Sequence, residues 1–484
     1  MLNINLKNFE KNHKNKQNQI LYTSLKSENE DTILNLINNF LIEKNSFVFE
    51  SVEKGKIKGR YTIFGKKPDK IWEFNNSNCF IYHGKKKVKV KGNPKKNIEK
   101  IIEDFKFKIP KKLPNISSII SGYFSYDIIR YIEKIPNTCK NDLNLPDSRL
   151  LRPKILIVHD NFKKEIYFIY NCFFSEKIKN YKKKYKEILN EIEYNIYLSN
   201  YQNPLKDIKK IHARKVRSNI SKSQIINNVK KAKKFIKIGD IFQVVLSQRF
   251  ETKLTKNPLE IYKKLRLTNP SPFMYFFNFK DFQIIGASPE ILVRLRNNQI
   301  TIRPIAGTRP RGKNYKKDKQ FEKELLSDKK EISEHLMLLD LGRNDAGKVS
   351  KVNTIKVNER FIVERYSHVM HIVSNVTGKF NNKYSRFDTL LAGFPAGTVS
   401  GAPKIRAMEI IDKLENSQRK VYAGGIGYFS ASGDFDTCIA LRTALVKNKK
   451  FYVQAGAGIV ADSKPNSEYK ETVNKAKALI KSLE

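Results

Sequence analysis

Two pairs of acidic residues at helical spacing are the part of this sequence best suited to chemistry. Ser327 and Asp328 are possible helix caps and leucines follow them, which predicts a helix that begins near residue 328. Glu331 and Glu334 then share a face and repel each other unless a positive charge lies beside them. Magnesium is usually held by one or two carboxylates with water and substrate oxygens, so this helix would supply half of a magnesium site. A solvated charged turn at a helix N-terminus explains this one helix at least as well.

A second acid-bearing helix is predicted near the C-terminus. Pro465 precedes Ser467, the candidate cap, and the next residues on one helical face are Glu468, Glu471 and Lys475. Two helices with acid pairs, one of them with a cation beside it, favour a shared metal site over two unrelated charged turns.

The stretch from Arg303 to Gly312 contains three arginines, two prolines and two glycines. Proline lacks a ladder donor and glycine weakens both helices and strands, so this composition excludes a helix interior or a central strand. We expect a shaped basic loop after a strand.

Two further stretches have small residues at positions suited to anions. Residues 394–404 predict a loop that opens a helix with Pro403 in its first turn, which is a natural anion cradle. Residues 454–459 end a predicted strand with residues small enough to bring backbone N–H groups against a carboxylate.

Two histidines lie in a predicted strand over residues 366–373. His368 and His371 then face opposite sides of the strand and cannot chelate one metal as neighbours. For each of them a hydrogen-bonded core histidine and a catalytic histidine both remain open.

The net charge of +45, from 93 basic and 48 acidic residues in 484, raises the question of nucleic acid or an anionic membrane. The excess is mostly lysine, is scattered along the chain, and forms no patch interleaved with aromatic residues. We therefore expect no nucleic-acid partner, and only weak binding of polyanions at low salt.

The cysteine content and the hydropathy of the sequence indicate the cellular compartment and whether a membrane span is expected. Four cysteines, too far apart for a ligand motif and too few for a disulfide framework, indicate a reducing cytoplasmic setting. The polar N-terminus lacks the apolar block of a signal peptide, and no stretch approaches about 18 uninterrupted apolar residues, so we expect no membrane span.

Hydrophobic periodicity predicts two units. The first has a helix over 31–42, strands at 46–51, 59–65, 79–82, 121–127, 154–159 and 165–173, and a helix over 97–107. A helical segment from about 175 to 205 follows. The second unit opens with a helix over 223–237 and a strand over 241–249, after which helices and strands alternate irregularly. This pattern predicts an α+β fold and not a doubly wound sheet.

Taken together, these stretches resemble the chorismate-utilising enzymes and, among them, the large subunits (component I) of anthranilate synthases. The resemblance is dense over residues 220–480, through 286–290, 303–312, 331–345, 394–408, 422–428, 436–443 and 454–475. Earlier in the chain it rests mainly on Glu50, Ser51 and residues 59–61.

The resemblance implies an architecture and a ligand set. Large mixed or antiparallel sheets would pack as a sandwich with helices outside, with a regulatory region at 14–174 intertwined with a catalytic region at 219–480 across a linker at 175–218. Mg²⁺ would be held by Glu334 and Glu471. Chorismate would lie among Gly307, Thr308, Thr398, Tyr422, Arg442, Gly456, Ala457, Gly458 and Lys475.

The implied chemistry needs an acid, because the hydroxyl on ring carbon four is a poor leaving group. Glu290 is the expected acid, at a position where burial would keep it protonated while ammonia attacks ring carbon two. His371, with Glu331 nearby, would assist the later proton transfer and the loss of pyruvate.

Two positions separate products within this family. Aminodeoxychorismate synthases carry an attacking lysine where this chain has Ala306. Isochorismate and salicylate synthases carry a water-activating lysine where it has Gln243. With neither lysine the nucleophile must arrive as ammonia, which points to anthranilate. Another chorismate enzyme, or a basic nucleic-acid-binding protein that has lost its chemistry, are the alternatives.

The expected partners follow from the same resemblance. No cysteine lies in a Gly-x-Cys-x-Gly setting, so a separate glutamine amidotransferase (component II) would supply ammonia, in a hetero-oligomer such as a heterotetramer. L-Tryptophan would inhibit by binding at Glu50, Ser51, Pro272, Phe273 and Met274. Two departures from the family pattern are Val48-Phe49 for Leu-Leu and Phe273 for Tyr.

Overall fold

The computed structural model describes residues 2–27, 30–53, 57–84, 86–203, 216–366 and 369–483. Its strands are β1 (Gln19–Lys26), β2 (Ser46–Glu50), β3 (Val52–Glu53), β4 (Ile57–Lys58), β5 (Tyr61–Asn75), β6 (Asn78–His83), β7 (Lys86–Val90), β8 (Ile119–Phe124), β9 (Ser148–Asp160), β10 (Glu165–Cys172), β11 (Arg217–Ser218), β12 (Gln243–Lys253), β13 (Phe273–Asn278), β14 (Gln283–Ser288), β15 (Ile291–Arg296), β16 (Gln299–Ile302), β17 (Ile305–Pro310), β18 (Lys356–Arg365), β19 (Val369–Lys379), β20 (Gly401–Ala402), β21 (Gly425–Ser430), β22 (Phe435–Ile439), β23 (Thr443–Lys447) and β24 (Lys450–Ile459).

The helices are α1 (Leu6–Lys14), α2 (Glu30–Phe40), α3 (Pro94–Glu103), α4 (Tyr181–Asn200), α5 (Lys222–Lys237), α6 (Pro258–Thr268), α7 (Tyr315–Ser327), α8 (Lys329–Gly347), α9 (Arg386–Ala392), α10 (Lys404–Leu414) and α11 (Pro465–Ile480). Short 3₁₀ helices cover Tyr126–Tyr131, Gly397–Val399 and Lys481–Leu483. None of the helices in the described ranges is both long and apolar enough to cross a membrane.

The strands form two packed layers that belong to one hydrogen-bonded network. One layer runs β1-β10-β9-β5-β2-β13-β14-β23-β24-β12, and the other runs β8-β21-β22-β15-β16-β19, with β17 and β18 also paired to β19. The ladders among the described strands are antiparallel. The long strands β5 and β9 join the layers, because β9 pairs with β10 near one end and with β8 near the other. The predicted α+β sandwich is confirmed.

Apolar side chains fill the space between the layers. Phe47, Tyr275 and Ile284 come from the first layer, Ile426 and Cys438 come from the second, and all five are buried in one cluster. The helices cover the outer faces: α2, α4 and α6 pack on the first layer, and α3, α8 and α9 pack on the second. Each face of the sandwich is therefore closed by helices, as expected for an antiparallel α+β fold.

Residues of the predicted regulatory region share the sheet with later residues. β2 pairs with β13, and β8 pairs with β21. The two regions are thus interleaved in the sheet, and the boundaries at 174 and 218 remain predictions. Residues 204–215 of the predicted linker lie outside the described part of the chain.

Three local predictions are wrong. Residues 303–312 are not only a loop, since β17 pairs with β19; the register shifts between Ala306 and Arg309, where Gly307 has a φ of +65°, and β17 is an edge strand that tolerates a terminal proline. Pro403 is the N-cap of α10 and lies before the first turn. The N-cap of α11 is Lys464 and not Ser467, because Pro465 fits the first helical position, where no N–H is required.

Candidate active site

The site lies where the chain crosses twice between the two layers. The connection from β14 to β15 carries Glu290, and the connection from β22 to β23 carries Arg442. The two connections run side by side, because the N–H of Ile439 donates to the Glu290 carbonyl at 3.1 Å and the N–H of Ala287 donates to the Arg442 carbonyl at 3.2 Å. An acid and a cation are thereby fixed by backbone bonds at one point of the sandwich.

Glu290 is a buried acid with few partners. It is 6% exposed, and its Oε1 accepts a hydrogen bond of 3.1 Å from the Thr398 hydroxyl. Burial raises the pKa of Glu290 to about 8, although the bonds from Thr398 and from the Ile305 N–H oppose the rise. The side chain is therefore protonated at neutral pH and can donate a proton.

His371 lies on β19 against the bulge of β17. Its Nδ1 is 2.9 Å from the Gly307 carbonyl and 3.1 Å from the Thr308 hydroxyl. A carbonyl only accepts, so Nδ1 carries the proton and Nε2 is left as an acceptor. Burial lowers the pKa of His371 to about 4, opposed by the Gly307 bond and reinforced by the nearby Arg442. The imidazole is therefore neutral at neutral pH.

Carboxylates of the two acid-bearing helices lie close enough for their charges to repel each other. α8 begins at Lys329 with Asp328 as its N-cap and presents Glu331 and Glu334. The pKa of Glu334 is raised, first by burial and then by repulsion from Glu331 and from Glu471 of α11. Gln243 Nε2 at the start of β12 donates to Glu334 Oε1 at 3.1 Å.

This group of carboxylates suits a hard divalent cation. Its donors are oxygens, and the repulsion between Glu334 and Glu471 is what a cation placed between them would remove. Lys475 pairs with Glu471 at 2.7 Å and also donates to the Gly456 carbonyl at 3.1 Å. Within the described ranges no group of three or more His, Cys, Asp or Glu side chains is arranged to hold a metal. A cation here would take two protein carboxylates and complete its shell elsewhere.

Arg442 is a cation without a counter-charge from the described side chains. Burial lowers the pKa of Arg442, and among the described residues Tyr366 opposes this shift. Its backbone has a φ of +46°, a left-handed conformation that costs about 1–3 kcal/mol in a non-glycine residue. An anionic ligand would both pair the charge and make use of this forced orientation.

Small residues on β24 let the site close around a ligand. A Cβ at Gly456 would lie 2.6 Å from the Tyr422 hydroxyl, and a Cβ at Gly458 would lie 2.6 Å from Gln243 Nε2. A larger residue at either position would therefore displace the Tyr422 hydroxyl or the Gln243 amide. Ala457 between them points away and is buried against Leu246 and Val244 of β12.

The residues expected from the sequence to bind the inhibitor L-tryptophan form a separate group. Glu50 and Met274 are partners in the β2–β13 ladder, and Ser51 follows Glu50. Glu50 accepts a hydrogen bond of 2.6 Å from Tyr262 and pairs with Arg266 at 2.8 Å. Phe273 pairs with Ser288 of β14, two residues before Glu290, so this group is connected to the acid through one ladder.

The sequence reasoning missed how the basic residues of 303–312 are neutralised. Arg309 pairs with Glu331 at 3.0 Å and with Asp328 at 2.7 Å. Arg303 pairs with Glu364 at 2.8 Å and Arg311 with Asp318 at 2.9 Å. The signal was the presence of four acids, at 318, 328, 331 and 364, after the three arginines, but which acid pairs with which arginine depends on the fold. His368 lies outside the described residues.

Relatives at the sequence level cover almost the whole chain. The anthranilate synthase component 1 of Cereibacter sphaeroides is 44% identical, over 98% of this chain and 96% of that protein. The protein of the same name from Aquifex aeolicus is 40% identical, over 100% of this chain and 98% of that protein.

Solved structures agree. Anthranilate synthase component I from Streptococcus pneumoniae superposes with a TM-score of 0.78 at 37% identity, over 87% of this chain and 92% of that one. The menaquinone-specific isochorismate synthase of Escherichia coli shares the fold, with a TM-score of 0.73 at 17% identity over 99% of both chains. The family described as chorismate binding enzyme matches residues 45–481. The chain belongs to the chorismate binding enzymes and, among them, to the anthranilate synthase component 1 proteins.

Proposed function

We propose that this chain converts chorismate and ammonia to anthranilate and pyruvate with the help of Mg²⁺, as the entry to tryptophan synthesis. The observation that carries the proposal is Glu290, a buried acid with a pKa of about 8 beside the Thr398 hydroxyl. The chain also has Gln243 and Ala306 at the two positions where other family members carry lysine. A buried acid, with neither the lysine that attacks the ring nor the lysine that activates water, suits attack by ammonia.

Two positive groups, the Arg442 guanidinium and Mg²⁺, would bind the two carboxylates of the substrate. Arg442 and Tyr422 take the enolpyruvyl carboxylate, because the Arg442 guanidinium has no protein counter-charge among the described residues. Glu334 and Glu471 would hold the Mg²⁺ ion that neutralises the ring carboxylate. The backbone of residues 456–458, Lys475 and the Gly307–Thr308 bulge enclose the ring.

Mg²⁺ would be held by Glu334 and Glu471 and would neutralise and orient the ring carboxylate. Two further residues contact these proposed ligands. Gln243 fixes Glu334 through its amide N–H, and Lys475 lies beside Glu471. Lys475 must leave Glu471 for that carboxylate to act as a ligand, and the Gly456 carbonyl is its other partner.

The first half of the reaction forms the C–N bond. Ammonia attacks ring carbon two, the ring double bonds shift, and the C4–O bond breaks as Glu290 gives its proton to the departing hydroxyl, which leaves as water. Gln243 orients the nucleophile: its Oε1 is buried with no hydrogen-bond partner in the described ranges and is free to accept an ammonia N–H. Neutral glutamine cannot take a proton from water, which favours ammonia.

The second half removes pyruvate and makes the ring aromatic. The proton on ring carbon two is taken by Nε2 of His371, which is neutral and held by its Nδ1–H on the Gly307 carbonyl. The C–O bond to the side chain breaks, and the enolpyruvyl group gains a proton and leaves as pyruvate. Glu331 lies 3.2 Å from the position of a Cβ on Gly307 and orients this bulge together with Arg309.

Ammonia would come from a glutamine amidotransferase subunit, component II, in a hetero-oligomer such as a heterotetramer. Burial raises the pKa of Cys79, Cys139 and Cys172 to about 12, and that of Cys438 still further, so none of them is a thiolate at neutral pH. The four free thiols suit a reducing cytoplasm. The regulatory region at 14–174 would bind L-tryptophan as a feedback inhibitor together with residues 272–274, and the region at 219–480 would carry the catalysis.

Product analysis tests the proposal. The purified chain is incubated with chorismate, Mg²⁺ and ammonium at mildly alkaline pH, and fluorescent anthranilate is followed with and without chelator. Anthranilate that requires Mg²⁺ is the expected result. Accumulation of isochorismate, salicylate or aminodeoxychorismate in its place would contradict the assignment.

A further inference from the structure

Arg419 is a buried cation next to the site that the proposed reaction does not use. It is 3% exposed, and its guanidinium donates to the carbonyls of Val399 and Val245, each at 2.7 Å. It also forms a two-point pair with Glu415, at 2.9 Å from Nε and 2.6 Å from Nη2. One side chain therefore connects α10, β12 and the 3₁₀ turn at Gly397–Val399.

The bond to Val399 acts on the turn that presents Thr398. No side chain caps this turn at its N-terminus. Its last carbonyl is that of Val399, a residue that is 1% exposed, and Arg419 donates to that carbonyl. Thr398 precedes Val399 directly and donates to Glu290. A charge-assisted bond to the Val399 carbonyl therefore fixes the position from which the Thr398 hydroxyl reaches the acid.

The same guanidinium orients a second residue of the site. Its centre lies 5.5 Å from the Tyr422 ring and 4.8 Å from the Tyr126 ring. The Tyr422 N–H donates to the Arg419 carbonyl at 3.2 Å, and the Tyr422 hydroxyl is held against Gly456. The phenol and the turn that carries Thr398 thus have one common support.

The ion pair is completely bonded on its acidic side. Glu415 Oε1 also accepts from the Ser247 N–H at 2.8 Å and from its hydroxyl at 2.9 Å. A buried ion pair is weak evidence for stability, since an apolar pair of equal volume often serves as well. What the pair supplies is geometry, because the planar guanidinium makes four hydrogen bonds to three separate segments.

We propose that Arg419 is a positioning residue, which holds the Thr398 hydroxyl on Glu290 and the Tyr422 ring beside Gly456 of β24. The proposal rests on the function proposed for Glu290. Lysine at this position keeps the charge but has no planar fork, so it cannot bond Glu415, Val245 and Val399 at once. The turn then relaxes and the Thr398–Glu290 bond lengthens.

The measurable consequence is a change in the acid. The Thr398 hydroxyl holds the pKa of Glu290 down against burial, so a weakened bond raises that pKa. The Ile305 N–H is the other donor to this carboxyl, and Arg303 and Asp345 line the same cavity. Since the acid must be protonated, the alkaline limb of the pH–rate profile moves to higher pH.

The test compares Arg419→Lys with Thr398→Val, their double variant and Arg130→Lys. Arg130 is the control, because it is a partly buried arginine that pairs with Asp412 of α10 and does not contact the site. We expect Arg419→Lys to lower kcat about tenfold and to move the alkaline limb in the same direction as Thr398→Val, whereas Arg130→Lys does neither. The double variant should lose no more activity than the worse single variant, because both changes weaken or remove the same hydrogen bond, from Thr398 to Glu290.

A second readout does not need turnover. Infrared difference titration against Glu290→Gln follows the protonated Glu290 carboxyl in the free protein. Its midpoint should rise in Arg419→Lys and stay unchanged in Arg130→Lys. An unchanged midpoint in a folded Arg419→Lys, or losses that multiply in the double variant, would overturn the positioning role. Absence of anthranilate formation by the wild type would contradict the proposed function and leave the infrared result to decide on Arg419.

Discussion

Gln243 donates its amide N–H to Glu334 at 3.1 Å, so the residue at the position that separates the family's nucleophiles also touches a proposed metal ligand. The other end of the amide, Oε1, is buried with no partner in the described ranges. One end of the side chain thus faces the proposed metal ligand and the other end is free for the proposed nucleophile. We therefore expect choice of nucleophile and metal binding to be coupled through this one residue.

Lysine at position 243 should weaken Mg²⁺ binding. In Gln243→Lys the ammonium pairs with Glu334 and competes with the metal, so the Mg²⁺ concentration for half-maximal activity rises about tenfold or more. Gln243→Met is the control, because it removes the hydrogen bond without adding charge and should change the Mg²⁺ requirement much less. Equal Mg²⁺ titration curves for the two variants would refute this coupling.

The metal assignment is tested at α8 and α11. Glu334→Ala or Glu471→Ala should abolish activity and Mg²⁺ dependence together, because each removes one of two proposed protein ligands. Glu468→Ala, on the same helix as Glu471, should keep a saturable Mg²⁺ requirement. Calorimetric titration with Mg²⁺ in the absence of substrate gives a readout that does not depend on turnover. If both Glu334→Ala and Glu471→Ala stay active, the metal binds elsewhere.

The two acid-bearing helices could be predicted from sequence because their signals are local. Asp328 caps α8, and the spacing of Glu331 and Glu334 is visible within four residues. The error at α11 is also local: the first-turn preference of Pro465 outweighs the capping preference of Ser467.

The side-by-side course of the connections that carry Glu290 and Arg442 could not be predicted in the same way. It depends on two crossings between sheet layers whose residues are far apart in the chain, and only strand pairing decides it. The bulge in β17 likewise required knowledge that β19 is its neighbour. The support that Arg419 gives to Thr398 left no sequence signal, because a lone arginine after a helix has many ordinary roles.

Glu290 should make the stability of the protein depend on pH. Its pKa is about 8 in the folded state against 4.5 for an exposed glutamate. Between these values the unfolded chain releases the proton and the folded chain keeps it, so rising pH lowers the free energy of unfolding by about 1.4 kcal/mol per pH unit from this residue. Below 4.5 and above about 8 this contribution no longer changes with pH.

Urea unfolding at several pH values in that window measures the effect. Glu290→Gln cannot ionise, so it should gain stability relative to wild type as the pH rises. The same variant should lose anthranilate formation, while the wild-type rate at constant unprotonated ammonia should fall above about pH 8. A stability difference between the two proteins that does not vary with pH would show that Glu290 is ionised in the folded state.

Glutamine alone should support no reaction. The chain has four cysteines, and burial holds the pKa of each thiol far above neutral, so none can act as the nucleophile that hydrolyses glutamine. Addition of a glutaminase subunit should restore glutamine-dependent anthranilate formation, and ammonium should work without it. Turnover of glutamine by the purified chain alone would contradict the need for a partner.

Tryptophan should inhibit, but more weakly than in relatives with the usual pocket residues. Arg266 and Tyr262 hold the Glu50 carboxylate, so Ser51 is presented at the fixed end of β2. The family resemblance implies a tyrosine at position 273; Phe273 has no hydroxyl, so we expect the loss of one hydrogen bond worth about 0.5–1.5 kcal/mol, or up to about tenfold in affinity. The ring centroids of Phe49 and Phe277 are 5.4 Å apart, so the larger side chain at position 49 is already packed against the pocket wall. The wall has little room to shift, and overpacking weakens ligand binding.

Inhibition of ammonia-dependent anthranilate formation compares the wild type with Ser51→Phe and Phe273→Tyr. Ser51→Phe should lose inhibition because the ring fills the ligand's place, and Phe273→Tyr should strengthen it up to about tenfold. Both variants should keep the uninhibited rate, since Phe273 reaches Glu290 only through its ladder partner Ser288. If millimolar tryptophan affects none of the three proteins, Glu50 and Ser51 only end a core strand and the chain has no working feedback site.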